Sequence, residues 1–155
     1  MKGIVGLTLA SALLLVGCYT GPSASHYLAI VEEIVVPAGW HVAATVVRGP
    51  DQAVPCNPGV STECPAVRRY FLIDADIAGA YAEAMDLVVG AGFTIGDEST
   101  QGCTTGSSNG PPCGFFADRG SDLLHVRVYA SPGEAGLDEA DPGGVTVVLR
   151  ASGSD

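Results

Sequence analysis

Between residues 123 and 130 the chain alternates without a break. Leu124, Val126, Val128 and Ala130 fall on one side of an extended backbone, and Leu123, His125, Arg127 and Tyr129 fall on the other. Alternation of period two marks a strand with one face in a core and the other in water. Val145 to Arg150 repeats the pattern, with Val145, Val147 and Leu149 set against Thr146, Val148 and Arg150. Strands that keep a polar side belong to sheets covered on one face only, which is the habit of antiparallel sheets and not of all-parallel ones. The apolar side then needs an amphipathic cover.

Asp76 to Gly92 supplies it. Ile77, Tyr81, Ala84, Val88 and Ala91 step by four and three along the chain, which lines them up on one helix face. Asp76 is placed to cap the first turn, and Gly90 or Gly92 to provide the left-handed residue that ends the last one. Further strands are predicted at His41 to Arg48, Val67 to Asp74, from Phe93 to Ile95, and at Gly114 to Asp118. His26 to Val36 carries apolar residues at both helical and alternating spacing; a helix over about Ser25 to Ile34 is favoured, with a strand left open. The fold class that follows is α+β in two layers: a largely antiparallel sheet of five or six short strands with one main helix packed on one face. No internal repeat is visible.

The amino end has a different character. After Met1 and Lys2, residues Ile4 to Val16 run without a charge, which is the length of a signal-peptide apolar region and too short for a membrane span. The run closes in Leu15-Val16-Gly17-Cys18, which resembles the lipobox of bacterial lipoproteins. That resemblance implies cleavage after residue 17, a diacylglycerol thioether on Cys18, and a cell-membrane location with the domain facing the extracytoplasmic side. Residues 18–25 then read as a short lipidated tether and 26–155 as one domain. The order of Pro-x-Gly-Trp, strand, Cys-Pro, strand, helix, Ala-Gly-Phe and paired cysteines is similar to that of small lipoproteins from GC-rich bacterial genomes, a likeness that implies no activity.

Cysteine count agrees with export. There are five cysteines, and giving Cys18 to lipid leaves Cys56, Cys64, Cys103 and Cys113 to pair. Cys56 with Cys64 and Cys103 with Cys113 is the favoured pairing, since each closes a short loop rich in Pro and Gly; the crossed pairings stay open. Neither spacing suits a zinc site, no histidine lies close by, and no Cys-x-x-Cys is present, so no metal is assigned. The formal charge of −10 argues against nucleic acid as a partner.

Motifs that carry chemistry are few. Gly106-Ser107-Ser108-Asn109-Gly110 matches a nucleophile elbow in letters, but Pro111-Pro112 stands where the helix should begin. Asp74, Asp76 and Gly79 resemble the start of a calcium loop, yet Ala78 and Met85 occupy ligand places, so the aspartates read as a strand end and a helix cap. Asp138, Glu139 and Asp141 read as a solvated acidic loop. No catalytic residue and no cofactor is assigned. The remaining candidate is the polar side of the two alternating strands, where His125, Arg127, Tyr129 and Arg150 gather cationic and aromatic groups in an acidic protein. A merely solvated sheet face is the alternative. The function expected is a non-enzymatic binding module of the cell envelope, tethered to the membrane by its lipid, with an envelope protein or a small anionic ligand as partner; a small hydrolase or other enzyme is the competing reading.

Overall fold

The strand that comes last in the chain sits in the middle of the sheet. A computed structural model of the protein describes residues 21–49, 64–99, 103, 113–137 and 144–153. The segment Leu15 to Cys18, Cys56, the Gly106 to Gly110 stretch and the trio Asp138, Glu139 and Asp141 lie outside these residues. The elements are α1 (Ala24–Glu33), β1 (Trp40–Arg48), β2 (Ala66–Ile73), α2 (Ile77–Gly90), β3 (Thr94–Ser99), β4 (Cys113–Arg119), β5 (Asp122–Tyr129) and β6 (Val145–Gly153). They form one six-stranded sheet in the order β1-β2-β6-β5-β4-β3, every neighbouring pair antiparallel. The α+β class, the antiparallel sheet and the helix packed on it are therefore as the sequence predicts.

Both helices pack on one face. That face carries Val67 and Phe71 of β2, Val147 and Leu149 of β6, Leu124 and Val126 of β5, and Phe115 of β4, all essentially without exposure. Against it α1 sets Tyr27, Ile30 and Val31, and α2 sets Ala80, Tyr81, Ala84 and Val88. Tyr81 meets Phe115 edge to face at 5.6 Å, and Trp40 meets Phe71 at 5.5 Å. The Trp40 Nε1–H donates to Glu83 Oε2 at 3.0 Å, so the indole is buried with its polar atom satisfied.

Helix ends are set by the residues expected to set them, with one addition. Asp76 Oδ1 accepts from the Gly79 N–H at 2.6 Å, which makes it the cap of α2 rather than a calcium ligand. Gly92, at φ 83°, takes the left-handed place after α2. The addition is the cap of α1, the helix favoured from the sequence over about Ser25 to Ile34, which is a second cover for the sheet. That cap is Ser23, and Ala24 is fully buried, so these two residues of the stretch 18–25, which reads as tether from the sequence, take part in the fold. Burial decides the point: the helical spacing of Tyr27, Ile30, Val31 and Ile34 meets an apolar sheet that needs covering beyond the reach of α2.

β4 and β5 join through Gly120 and Ser121, with Gly120 at φ 67°, as a two-residue hairpin turn requires. Both sheet edges are interrupted, β1 between Val42 and Ala44 and β3 between Ile95 and Glu98, which discourages further strands from adding there. No described helix is long and apolar enough to cross a membrane.

Candidate anion-binding face

The residues of β2, β6 and β5 that point away from the helices form rows across the sheet. Strand register puts Val46, Arg68, Arg150, His125 and Phe116 in one row, running from β1 to β4. The next row is Ala44, Tyr70, Val148, Arg127 and Gly114. A third pairs Leu72, Thr146 and Tyr129. All four residues singled out in the sequence, His125, Arg127, Tyr129 and Arg150, thus lie on one open face. Arg68 and Tyr70 join them from β2, and Arg48 stands at the end of β1.

Together they make a shallow pocket of about 100 Å³, walled by Arg68, Tyr70, His125, Arg127, Tyr129, Val148 and Arg150, with Ala135 on the rim. Ala135 belongs to a turn in which its N–H donates to the Pro132 carbonyl at 3.0 Å. At roughly 30 Å³ for each water in the liquid, the volume suits a small charged group.

His125 is held in one state. The Arg127 Nε–H donates to His125 Nε2 at 3.1 Å, so that nitrogen is an acceptor and the ring proton sits on Nδ1. Phe116 stacks on the ring at 4.1 Å and 17°. Burial, followed by the charges of Arg127, Arg150 and Arg68, pushes the His125 pKa down to about 4. Burial, then Arg68, Arg127 and Arg48, also holds the Arg150 guanidinium below its usual value, though it stays charged at any physiological pH. Gly114 gives Arg127 room. A side chain there would run into the Val126 carbonyl oxygen and sit 3.4 Å from Arg127 Cγ.

Among the described residues, no acid is ion-paired with these cations. The ion pairs among the described residues are His26 with Asp122 and Arg119 with Glu33, both away from the pocket. Four of the six arginines in a chain of net charge −10 therefore gather on one sheet face without a carboxylate contact among the described residues.

The sequence reading missed Arg68, Tyr70 and Phe116. The signal for Arg68 was present but ambiguous, since Arg68 and Arg69 are adjacent in a strand and must face opposite ways. Arg69 takes the helix side, where Nη1 donates to the Val31 carbonyl at 3.4 Å and the guanidinium lies over Phe71. The other histidines go elsewhere: His26 pairs with Asp122 at 2.8 Å, and His41 is exposed on β1. Cys103 and Cys113 are bonded to each other, which removes the crossed pairings. Cys64 is disulfide-bonded as well, and Cys56, its expected partner, is outside the described residues.

No protein-family profile matches the chain, and neither a curated protein nor a solved structure shows significant similarity to it.

Proposed function

We propose that this is a lipid-anchored protein of the extracytoplasmic side whose open sheet face binds a negatively charged group, on an envelope protein or a small ligand, without transforming it. One observation carries the reading. Arg68 and Arg150 are direct cross-strand partners, with Arg127 on the adjacent diagonal and no acid among the described residues that line the pocket. Like charges placed opposite each other oppose strand pairing, by roughly 0.2–1 kcal/mol a pair. An anion between them turns that repulsion into attraction, and guanidinium forks are suited to oxyanions.

His125 favours a binder over a hydrolase. A general base works best with a pKa near the operating pH, and this ring, at about 4, is far below neutrality. Its Nε2 lone pair is already engaged by Arg127. The ring acts as a neutral wall between cations.

Anchoring follows from Leu15-Val16-Gly17-Cys18 and gains from the position of the Ser23 cap. Five residues, 19 to 23, span at most about 18 Å, which holds the domain close to the membrane. Labelling with a fatty-acid analogue marks the wild type and not Cys18→Ala; an unlabelled wild type removes the anchor. For the face, the test is thermal shift with phosphate, sulfate and citrate at matched ionic strength. The wild type rises above its chloride control, and the triple variant Arg68→Ala, Arg127→Ala, Arg150→Ala does not. A wild type indifferent to all three anions ends the proposal.

A further inference from the structure

We infer that the group bound on this face is a tetrahedral dianion, in its simplest form a phosphomonoester, carried on a flat apolar body that lies on Phe116. The inference rests on the anion-binding reading above and names the ligand class for it.

Geometry separates a tetrahedral group from a carboxylate. Arg68, Arg150 and Arg127 come from three adjacent strands, with about 4.8 Å between neighbours, so they approach a common point from different sides. A carboxylate has two oxygens in one plane, and one guanidinium fork takes the edge they share, leaving only the outer lone pairs for other donors. A phosphoryl group has three terminal oxygens and offers an edge to each fork. Charge points the same way, because among the described residues no acid pairs with Arg68, Arg127 or Arg150, and a single negative charge leaves most of that cluster unneutralised. Tyr70 and Tyr129 also line the wall, and a phenol is a neutral donor.

Size and surroundings place the rest of the ligand. The pocket, at about 100 Å³, holds an oxyanion and little more. The body must therefore leave along the surface, and the row that contains Arg150 and His125 continues to Phe116. Phe116 is 42% exposed, the one aromatic among the large exposed apolar residues described, and it stacks nearly parallel on the ring of His125 of the pocket wall. A phenylalanine left to solvent beside an arginine cluster is a platform for a planar group. At the other end of the row, Val46 stands outside the pocket wall and offers no flat surface.

Calorimetry with the full domain, its disulfides intact, decides the matter with three probes: phenyl phosphate, inorganic phosphate and benzoate. Phenyl phosphate should bind about three- to tenfold more tightly than inorganic phosphate, and about tenfold more tightly than benzoate. Phe116→Ala should abolish the preference for phenyl phosphate over inorganic phosphate, read as the ratio of the two affinities in the same variant, and Phe116→Trp should restore it. Benzoate binding as well as phenyl phosphate overturns the tetrahedral assignment. Equal affinity for the two phosphates in the wild type overturns the platform. If none of the three probes binds, the anion-binding reading itself fails, a result distinct from the other two. Circular dichroism confirms that the Phe116 variants are folded.

Discussion

Phe115 and Phe116 are neighbours in the chain and sit in different media. Phe115 is 1% exposed and packs edge to face on Tyr81 of α2. Phe116 is 42% exposed and lies on His125 at the edge of a cationic pocket. The same contrast holds between Arg69 and Arg68 on β2, and between Leu149 and Arg150 on β6. The backbone is shared by both faces of the sheet, so each strand spends alternate residues on stability and on recognition. Helix cover makes the difference. Both helices press on one side, so apolar side chains there are kept from water, and the opposite side is free to carry a charge pattern that no core could hold.

The largest effect should come from reversing that contrast at the phenylalanine pair. Phe115→Ala empties a closely packed site and should lower unfolding free energy by about 3–5 kcal/mol. Phe116→Ala, one residue on, should cost less than about 1 kcal/mol, since its ring is already half in solvent. Urea denaturation of the two variants measures both numbers. Equal losses would mean that the outer face is structural after all.

The disulfide between Cys103 and Cys113 ties the helix-covered side. Cys113 is buried in the core at the start of β4, and Cys103 packs partly buried against the same cluster. Closing a loop of sequence separation 10 removes unfolded-state freedom equivalent to about 2.5–3 kcal/mol. Cys103→Ser with Cys113→Ser should lose that amount or somewhat less in denaturant. Anion binding on the outer face should stay as it is, and that separation of effects is the sharper part of the test.

How far each face is legible in the sequence depends on the range of the information it needs. The facing of His125, Arg127, Tyr129 and Arg150 is local: alternation in β5 and β6 is enough, and all four point as the pattern says. The cap Asp76 and the terminator Gly92 are equally local. Arg68 is a different matter. Its place beside Arg150 depends on β2 pairing with β6 across a sequence separation that no periodicity encodes, and the adjacent Arg69 hides which of the two faces outward. Helix α1 is ambiguous for the same reason. Its apolar residues fit a helix or a strand, and the choice is made by the sheet surface beneath it.

His125 offers a pH test confined to the outer face. Its pKa in the folded protein, about 4, lies below the ordinary 6.5, so between those values the unfolded chain binds more protons than the native one. Stability from this group is complete above pH 6.5 and is lost as pH falls toward 4. The ring is only half shielded from solvent, so the loss should be roughly 1–2 kcal/mol after screening. Replacing His125 with Phe keeps a planar ring on Phe116 and removes the titration. Melting temperature followed from pH 7 to pH 4 should fall less steeply in this variant than in the wild type. Parallel curves would show that neither burial nor the arginines around it hold the imidazole below its ordinary pKa.

The smallest effect is the most particular to the proposed site. Arg150 lies directly between Arg68 and His125 in the row, diagonal to Arg127. Without an anion its charge opposes its neighbours, and with one it is the centre of the binding cluster. Arg150→Gln should therefore stabilise the ligand-free protein by about 0.2–1 kcal/mol, through relief of the like-charge pair. High salt should shrink that gain by screening the same repulsion in the wild type. The sign must reverse when phosphate is added, because ligand stabilises only the form that binds it. A thermal shift series in chloride and in phosphate reads both halves of the prediction from one plate. A variant less stable than the wild type in chloride would mean that Arg150 is held by contacts its stem makes along the sheet, and the open face would then lose its claim to be strained toward a ligand.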